Sequence, residues 1–324
     1  MHWKNIVDVE AARLDRARIV WYEMVNRHKG ATGGSLPTSL MFHKTTTLAV
    51  FRLREKGIRF PFPHSWYLYG TEAEGTRPNI LFRPDVTGQK TMVEWISDVP
   101  ELFPGDAEAD SIRSEIDAIL KERPRVETLV DEVYDRAPFE FQRSYRQLRI
   151  CLGTTGRGSR FQKDCEAANP WALLLDALDV FPADRFRHLV THIPSFKEAV
   201  NVAWNASPPD RKRTTELVEE FWRLFCCYLR LDQDGHEMIS HAQLKAWQDI
   251  AESRHAKWDR IFGDILVELA AADRAVGTNK MLGPLVEKRR QQQQEENKTI
   301  DDALSVISEN RASLDAIADM PAPK

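Results

Sequence analysis

The sequence predicts a mainly α protein, with a winged helix-turn-helix-like N-terminal module followed by a larger helical body. Three observations lead there. Apolar residues recur at helical spacing on both sides of one interruption. That interruption, residues 58–70 (IRFPFPHSWYLYG), is rich in proline and aromatic residues. From residue 111 onward almost every apolar run has the helical period.

Taken in order, Ile6, Val9, Leu14, Ala17, Trp21 and Val25 describe an amphipathic helix over 6–28, ended by the basic turn His28-Lys29 and Gly30. Residues 31–37 read as a loop. A second helix is predicted from Pro37 or Thr38 to Lys56, with Gly57 as its stop. Pro61 and Pro63 forbid a helix across the next segment. An irregular approach and a short strand through Trp66, Tyr67 and Tyr69 are expected there. Residues 71–79 are expected as a polar loop, and ILFRPD (80–85) as the return strand. Helix, loop, helix and hairpin make the winged-helix outline.

Helices are then expected around Ile112–Leu120, Val126–Val133, Phe141–Ile150 and Trp171–Phe181, with the longest over Thr214–Leu231 and Leu244–Ala272. GTTGRGSR (153–160) is a glycine-rich loop. The expected division is 1–98 for the module, 99–283 for a helical domain and 284–324 for a charged, Gln-rich tail. Within that tail, Ile300, Leu304, Ile307 and Leu314 form an apolar stripe, so 300–318 is expected to dock on the protein's own body or on a protein partner, or to self-associate.

Composition narrows the function classes. Of 324 residues, 42% are hydrophobic and 29% charged, and 45 Lys/Arg face 49 Asp/Glu. That balance excludes a histone-like basic chain and an acidic solvating one. The four cysteines form no C-x-x-C pair, so neither a disulfide framework nor a cysteine-rich zinc module is expected. Cys226 and Cys227 read as small apolar core residues. No apolar run reaches spanning length, which predicts no membrane association and a cytoplasmic location.

Charge is nonetheless uneven. Residues 1–60 carry eleven Lys/Arg against five Asp/Glu, and 61–150 carry eleven against seventeen. A basic module joined to an acidic body is consistent with nucleic-acid contact. Lys44, Arg52, Arg54, Lys56 and Arg59 on and after the second helix are the candidate phosphate contacts. A second basic stretch, 143–163, adds Arg146, Arg149, Arg157 and Arg160, the last two inside the glycine-rich loop, whose backbone N–H groups can face an anion. The competing reading pairs these arginines with the acidic 61–150 region. The helix-turn-helix outline also serves modules that pair with proteins instead of nucleic acid.

Residues 229–247 (LRLDQDGHEMISHAQLKAW) follow a helix bearing Leu224, Tyr228 and Leu231 and precede another bearing Leu244 and Trp247. With Asp232 at position 1, Asp234 falls at 3, Gly235 at 4, Ile239 at 8 and Ser240 at 9. Residues 217–247 therefore resemble an EF-hand, which implies calcium held from Asp232 and Asp234. His236, Glu237 and Gln243 replace the oxygen ligand, the glycine and the bidentate glutamate of that pattern. No calcium or other cofactor is therefore expected at ordinary concentrations. His188 and His192 lie four apart, but the glutamate of H-E-x-x-H is missing. No catalytic motif appears. The expected function is binding without catalysis, directed at nucleic acid or at a nucleic-acid-handling partner. An EF-hand-derived helical adaptor is the alternative.

Overall fold

The computed structural model describes residues 3–276, apart from 61, 75, 77–78, 101–105, 123, 157, 166–167, 206–210 and 233–240, together with 291. The protein is mainly α. Helices α1 (Trp3–Ala31) and α2 (Ser39–Glu55) precede two hairpins, β1 (His64–Tyr67) with β2 (Gly70–Ala73) and β3 (Ile80–Pro84) with β4 (Thr91–Trp95). Then come α3 (Ala107–Lys121), α4 (Val126–Asp135), α5 (Glu140–Cys151), a 3-10 turn (Arg160–Cys165) and α6 (Pro170–Asp179). The last four are α7 (Arg187–Val190), α8 (His192–Asn205), α9 (Arg211–Leu231) and α10 (His241–Val276).

Contacts divide the chain into two compact units, 1–191 with 212–258, and 192–211 with 259–324. In the first unit α3 packs on α1 and α2, across the boundary expected at residue 98. In the second, Phe196 meets Phe262 edge-on at 5.8 Å and His192 lies 3.7 Å from Asp259.

α2 begins where Thr38, in extended backbone, accepts a hydrogen bond from the Met41 N–H at 3.2 Å. It ends at Gly57, whose φ of +83° suits a residue without a Cβ. Between these caps it is buried on nearly every side (Phe42, Lys44, Thr45, Thr46, Thr47, Leu48, Ala49, Val50 and Leu53) by α1, α3, α4, β2 and β4. Only its last turn, with Arg54 and Glu55, carries exposed side chains.

The single hairpin expected from the sequence is replaced by two. The strand through Trp66 turns back at once, with Tyr67 opposite Gly70 and His64 opposite Ala73. The segment read as a polar loop thus supplies strand β2. Gly70 takes φ +94°, and a Cβ there would sit 3.3 Å from both Tyr134 and Val133. ILFRP pairs instead with 91–95, Ile80 opposite Trp95 and Pro84 opposite Thr91.

The core of the first unit is aromatic. Phe141 lies 4.6 Å from Phe225, Tyr145 stacks on Trp222 at 5.5 Å, and Phe181 and Phe186 close the cluster. The Tyr145 hydroxyl donates to the Val218 carbonyl at 2.9 Å, so its polar end is satisfied inside. A disulfide joins Cys151 to Cys165, tying the end of α5 to the 3-10 turn. This bond was not expected from the cysteine pattern, because it is the returning glycine-rich loop that brings the two residues together. The tail over 300–318, and all of 284–324 except residue 291, lies outside the described residues. No described helix is long and apolar enough to cross a membrane.

Candidate functional site

The basic residues picked out by the sequence are mostly spent inside the protein. Lys44 is 1% exposed and donates to the Thr71 carbonyl at 2.5 Å. Arg52 makes a bidentate pair with Glu132 at 2.8 and 3.0 Å, and Lys56 pairs with Glu115. Arg146 and Arg149 are 3% and 4% exposed. Arg149 grips Glu219 through two nitrogens at 2.7 and 2.9 Å, and its guanidinium lies over the Trp222 ring. Arg160 pairs with Asp135. Arg54 and Arg59 are exposed, and Arg157 lies outside the described residues. Lys44, Arg146 and Arg149 are therefore core residues, and no phosphate outside the protein reaches them in this conformation. The reading that paired the arginines with the acidic 61–150 segment describes Arg146 and Arg160, whose partners Asp131 and Asp135 belong to it.

Burial sets the protonation of this interior. It drives Lys44 down to about 7, against the attraction of Glu72 and helped by the nearby Arg146. Burial raises Glu72 in turn, so the pair is drawn toward its uncharged form. His43 falls to about 3 through burial and the positive charges of Lys44 and Arg230. It is therefore neutral, and its Nδ1 accepts the Ala73 N–H at 3.0 Å. Arg230 bonds Glu74 at 2.6 Å and lies 4.1 Å from the Trp247 ring centre.

The glycine-rich loop does receive an anion, and that anion is Asp131. The carboxylate accepts from the Ser159 hydroxyl at 3.0 Å, the Arg160 N–H at 3.0 Å and Arg146 Nη2 at 2.5 Å. Other loop amides are consumed locally: Thr154 by the Arg149 carbonyl, Gly158 by Gln162 and Ser159 by the Gly156 carbonyl. The expected backbone cradle is built, but an internal side chain fills it.

Two clefts open beside this interior. One, of about 230 Å³, lies among α4, α5 and the 3-10 turn, and Tyr134, Arg143, Ser144, Arg146, Gln147 and Phe161 contribute to its wall. The other, of about 550 Å³, is bounded by Phe186, His188, Tyr228, Asp232, Gln248 and Glu252. There His188 stacks on Tyr228 at 5.5 Å, and the Tyr228 hydroxyl lies 2.8 Å from His255 Nδ1. Asp232, the first calcium candidate, is held by Arg185 at 2.5 Å. Asp234 and the rest of 233–240 lie outside the described residues.

No family model, curated protein or solved structure matches the chain. The sequence singled out Arg146 but not Asp131, Tyr134, Ser144, Gln147 or Phe161 beside it. Asp131 and Arg146 are 15 positions apart, and no short-range pattern links them.

Proposed function

We propose that the protein is a binding protein whose N-terminal elements engage another protein, with the β3–β4 hairpin as the contact. The observation that carries this reading is the distribution of exposed apolar side chains. Leu81, Val86, Ile96 and Val99 are 44%, 105%, 56% and 60% exposed, and all fall within one short stretch of chain. Scattered exposed apolar residues are ordinary, but this group, Leu81 and Val86 on the hairpin with Ile96 and Val99 just after it, marks a contact surface. Charge on the hairpin is self-compensating, since Arg83 pairs with Glu94 at 3.2 Å. An apolar protein surface fits such a face better than a phosphate backbone does.

The winged-helix outline supports the same reading. The Val93 N–H donates to the Pro37 carbonyl at 2.9 Å, and Thr38 bridges Met92, so β4 runs beside the segment joining α1 and α2 as a wing does. The nucleic-acid reading retains Arg54 and Arg59, which have no carboxylate partner among the described residues, but most other side chains of α2 are buried or half-buried.

A photoreactive residue placed at position 86 or 96 and irradiated in native cells tests the proposal. Expected is a discrete adduct that protease removes and nuclease leaves intact. A nuclease-sensitive adduct overturns the protein reading in favour of nucleic acid. No adduct at either position also overturns it.

A further inference from the structure

The disulfide between Cys151 and Cys165 closes a loop that has little apolar burial to hold it. Among the described side chains between the two cysteines only Ser159 is buried, while the apolar ones, Leu152 and Phe161, are half-buried. The hydrophobic burial that secures the aromatic core therefore contributes little here. Polar anchors fall in two places. Close to the first cysteine, Thr154 donates to the Arg149 carbonyl and to Glu219. Close to the second, Ser159 and Arg160 donate to Asp131, and Arg160 also pairs with Asp135. Asp131 is 2% exposed and Arg146, its remaining donor, 3%. The 3-10 turn, packed on α5 and tied to it by the disulfide, carries part of the cover over this ion pair.

The four cysteines differ in access. Cys151 and Cys165 are half-buried at the ends of their elements, whereas Cys226 and Cys227 are 0% and 4% exposed within α9. Burial also pushes the latter two thiols above the ordinary thiol value, so neither is a ready nucleophile for disulfide exchange. A thiolate arriving from solvent therefore meets the Cys151–Cys165 bond and not the α9 pair. Breaking that bond restores to the loop the conformations that the cross-link removes.

We infer that Cys151 and Cys165 form a reversible redox site, opened in the folded protein by a dithiol, and that opening releases residues 158–165 from α4 and α5 and uncovers Asp131 and Arg146. One thiolate of the dithiol attacks a sulfur of the pair, forms a mixed disulfide and expels the other cysteine as a thiolate, which takes up a proton. The second thiol of the reagent then closes its own disulfide and frees the first cysteine. Two electrons and two protons pass from the dithiol to the pair. The β3–β4 hairpin takes no part in this step, so the inference and the proposed function stand or fall separately.

Dithiothreitol at about 5 mM is the probe, applied to the full chain under native conditions and read by thiol alkylation with peptide mapping and by amide hydrogen exchange. Expected is alkylation of Cys151 and Cys165 with Cys226 and Cys227 untouched. Amide exchange across 158–165 should quicken by about tenfold or more while exchange in α9 stays as in the parent. Oxidised glutathione, added after the dithiothreitol is removed, should restore the slow exchange. Cys165→Ser should exchange fast across 158–165 without reductant and ignore dithiothreitol. A bond that yields only when the α9 thiols also become reactive is a structural staple, and that result overturns the inference. So does exchange across 158–165 as slow in the reduced chain or in Cys165→Ser as in the oxidised parent. Protection lost equally through α9, or slow exchange that oxidised glutathione fails to restore, overturns it as well.

Discussion

Lys44 shows how far a single side chain departs from what its letter suggests. A lysine near a helix N-terminus reads as a solvated cation, yet this one is enclosed between α2 and β2 with the Thr71 carbonyl as acceptor. Its pKa falls from 10.5 to about 7 in the fold. Between those values the unfolded chain holds the extra proton and the folded one does not. Stability from this site is therefore complete above the unfolded value and is lost as pH falls toward the folded one. Urea unfolding at about pH 7 and about pH 9.5 should show Lys44→Met gaining on the parent at the lower pH and losing that gain at the higher. A difference that stays constant with pH would remove Lys44 from this role. Arg149 makes the same point without titrating: its two bonds to Glu219 tie α5 to α9, and Trp222 and Arg149 both hold the Leu68 carbonyl of the first hairpin turn.

At the scale of elements, most helices and the strands β1 and β3 were legible, while β2, β4 and the helices over 187–205 were not, for a physical reason. The caps of α2 could be read because Thr38 and Gly57 act through neighbours a few residues away. Strand β2 was hidden because its residues are polar, and polarity normally signals exposure. Thr71 is buried against Thr47 at 2.6 Å, and Glu74 is buried with Ser65 and Arg230. The partner in that last pair is 156 positions away, beyond the reach of any local pattern. The same distance effect concealed the fate of the basic residues. Within the glycine-rich loop, Gly156 has φ +75°, and a Cβ there would lie 2.5 Å from Ile150. Gly156→Ala should therefore cost upwards of about 1 kcal/mol, and denaturant midpoints against Gly158→Ala, where nothing crowds the added atom, measure the steric part. Equal losses at the two positions would mean that backbone conformation alone accounts for the effect.

Over the whole molecule, tertiary pairing outweighs sequence-local signal. Glu220 gathers Arg223 at 2.6 Å, Lys257 at 2.8 Å and Arg254 at 3.4 Å, and so fastens the first half of α10 to α9. The calcium expectation belongs at this scale, because Asp232 is engaged by Arg185 from a distant part of the chain. Calorimetry with about 1 mM calcium should be silent, given the missing bidentate glutamate, whereas saturation in the micromolar range would establish the loop as a metal site.

The joining of Cys151 to Cys165, with Cys226 and Cys227 enclosed in α9, turns the chain into its own folding gauge. An alkylating reagent meets no thiol on the folded surface, two once the chain unfolds without reductant, and four after reduction as well. Each form differs from the next by a fixed mass increment. Intact-mass spectrometry after timed alkylation therefore counts folded, opened and reduced molecules separately in one sample, without a label or an assay of activity.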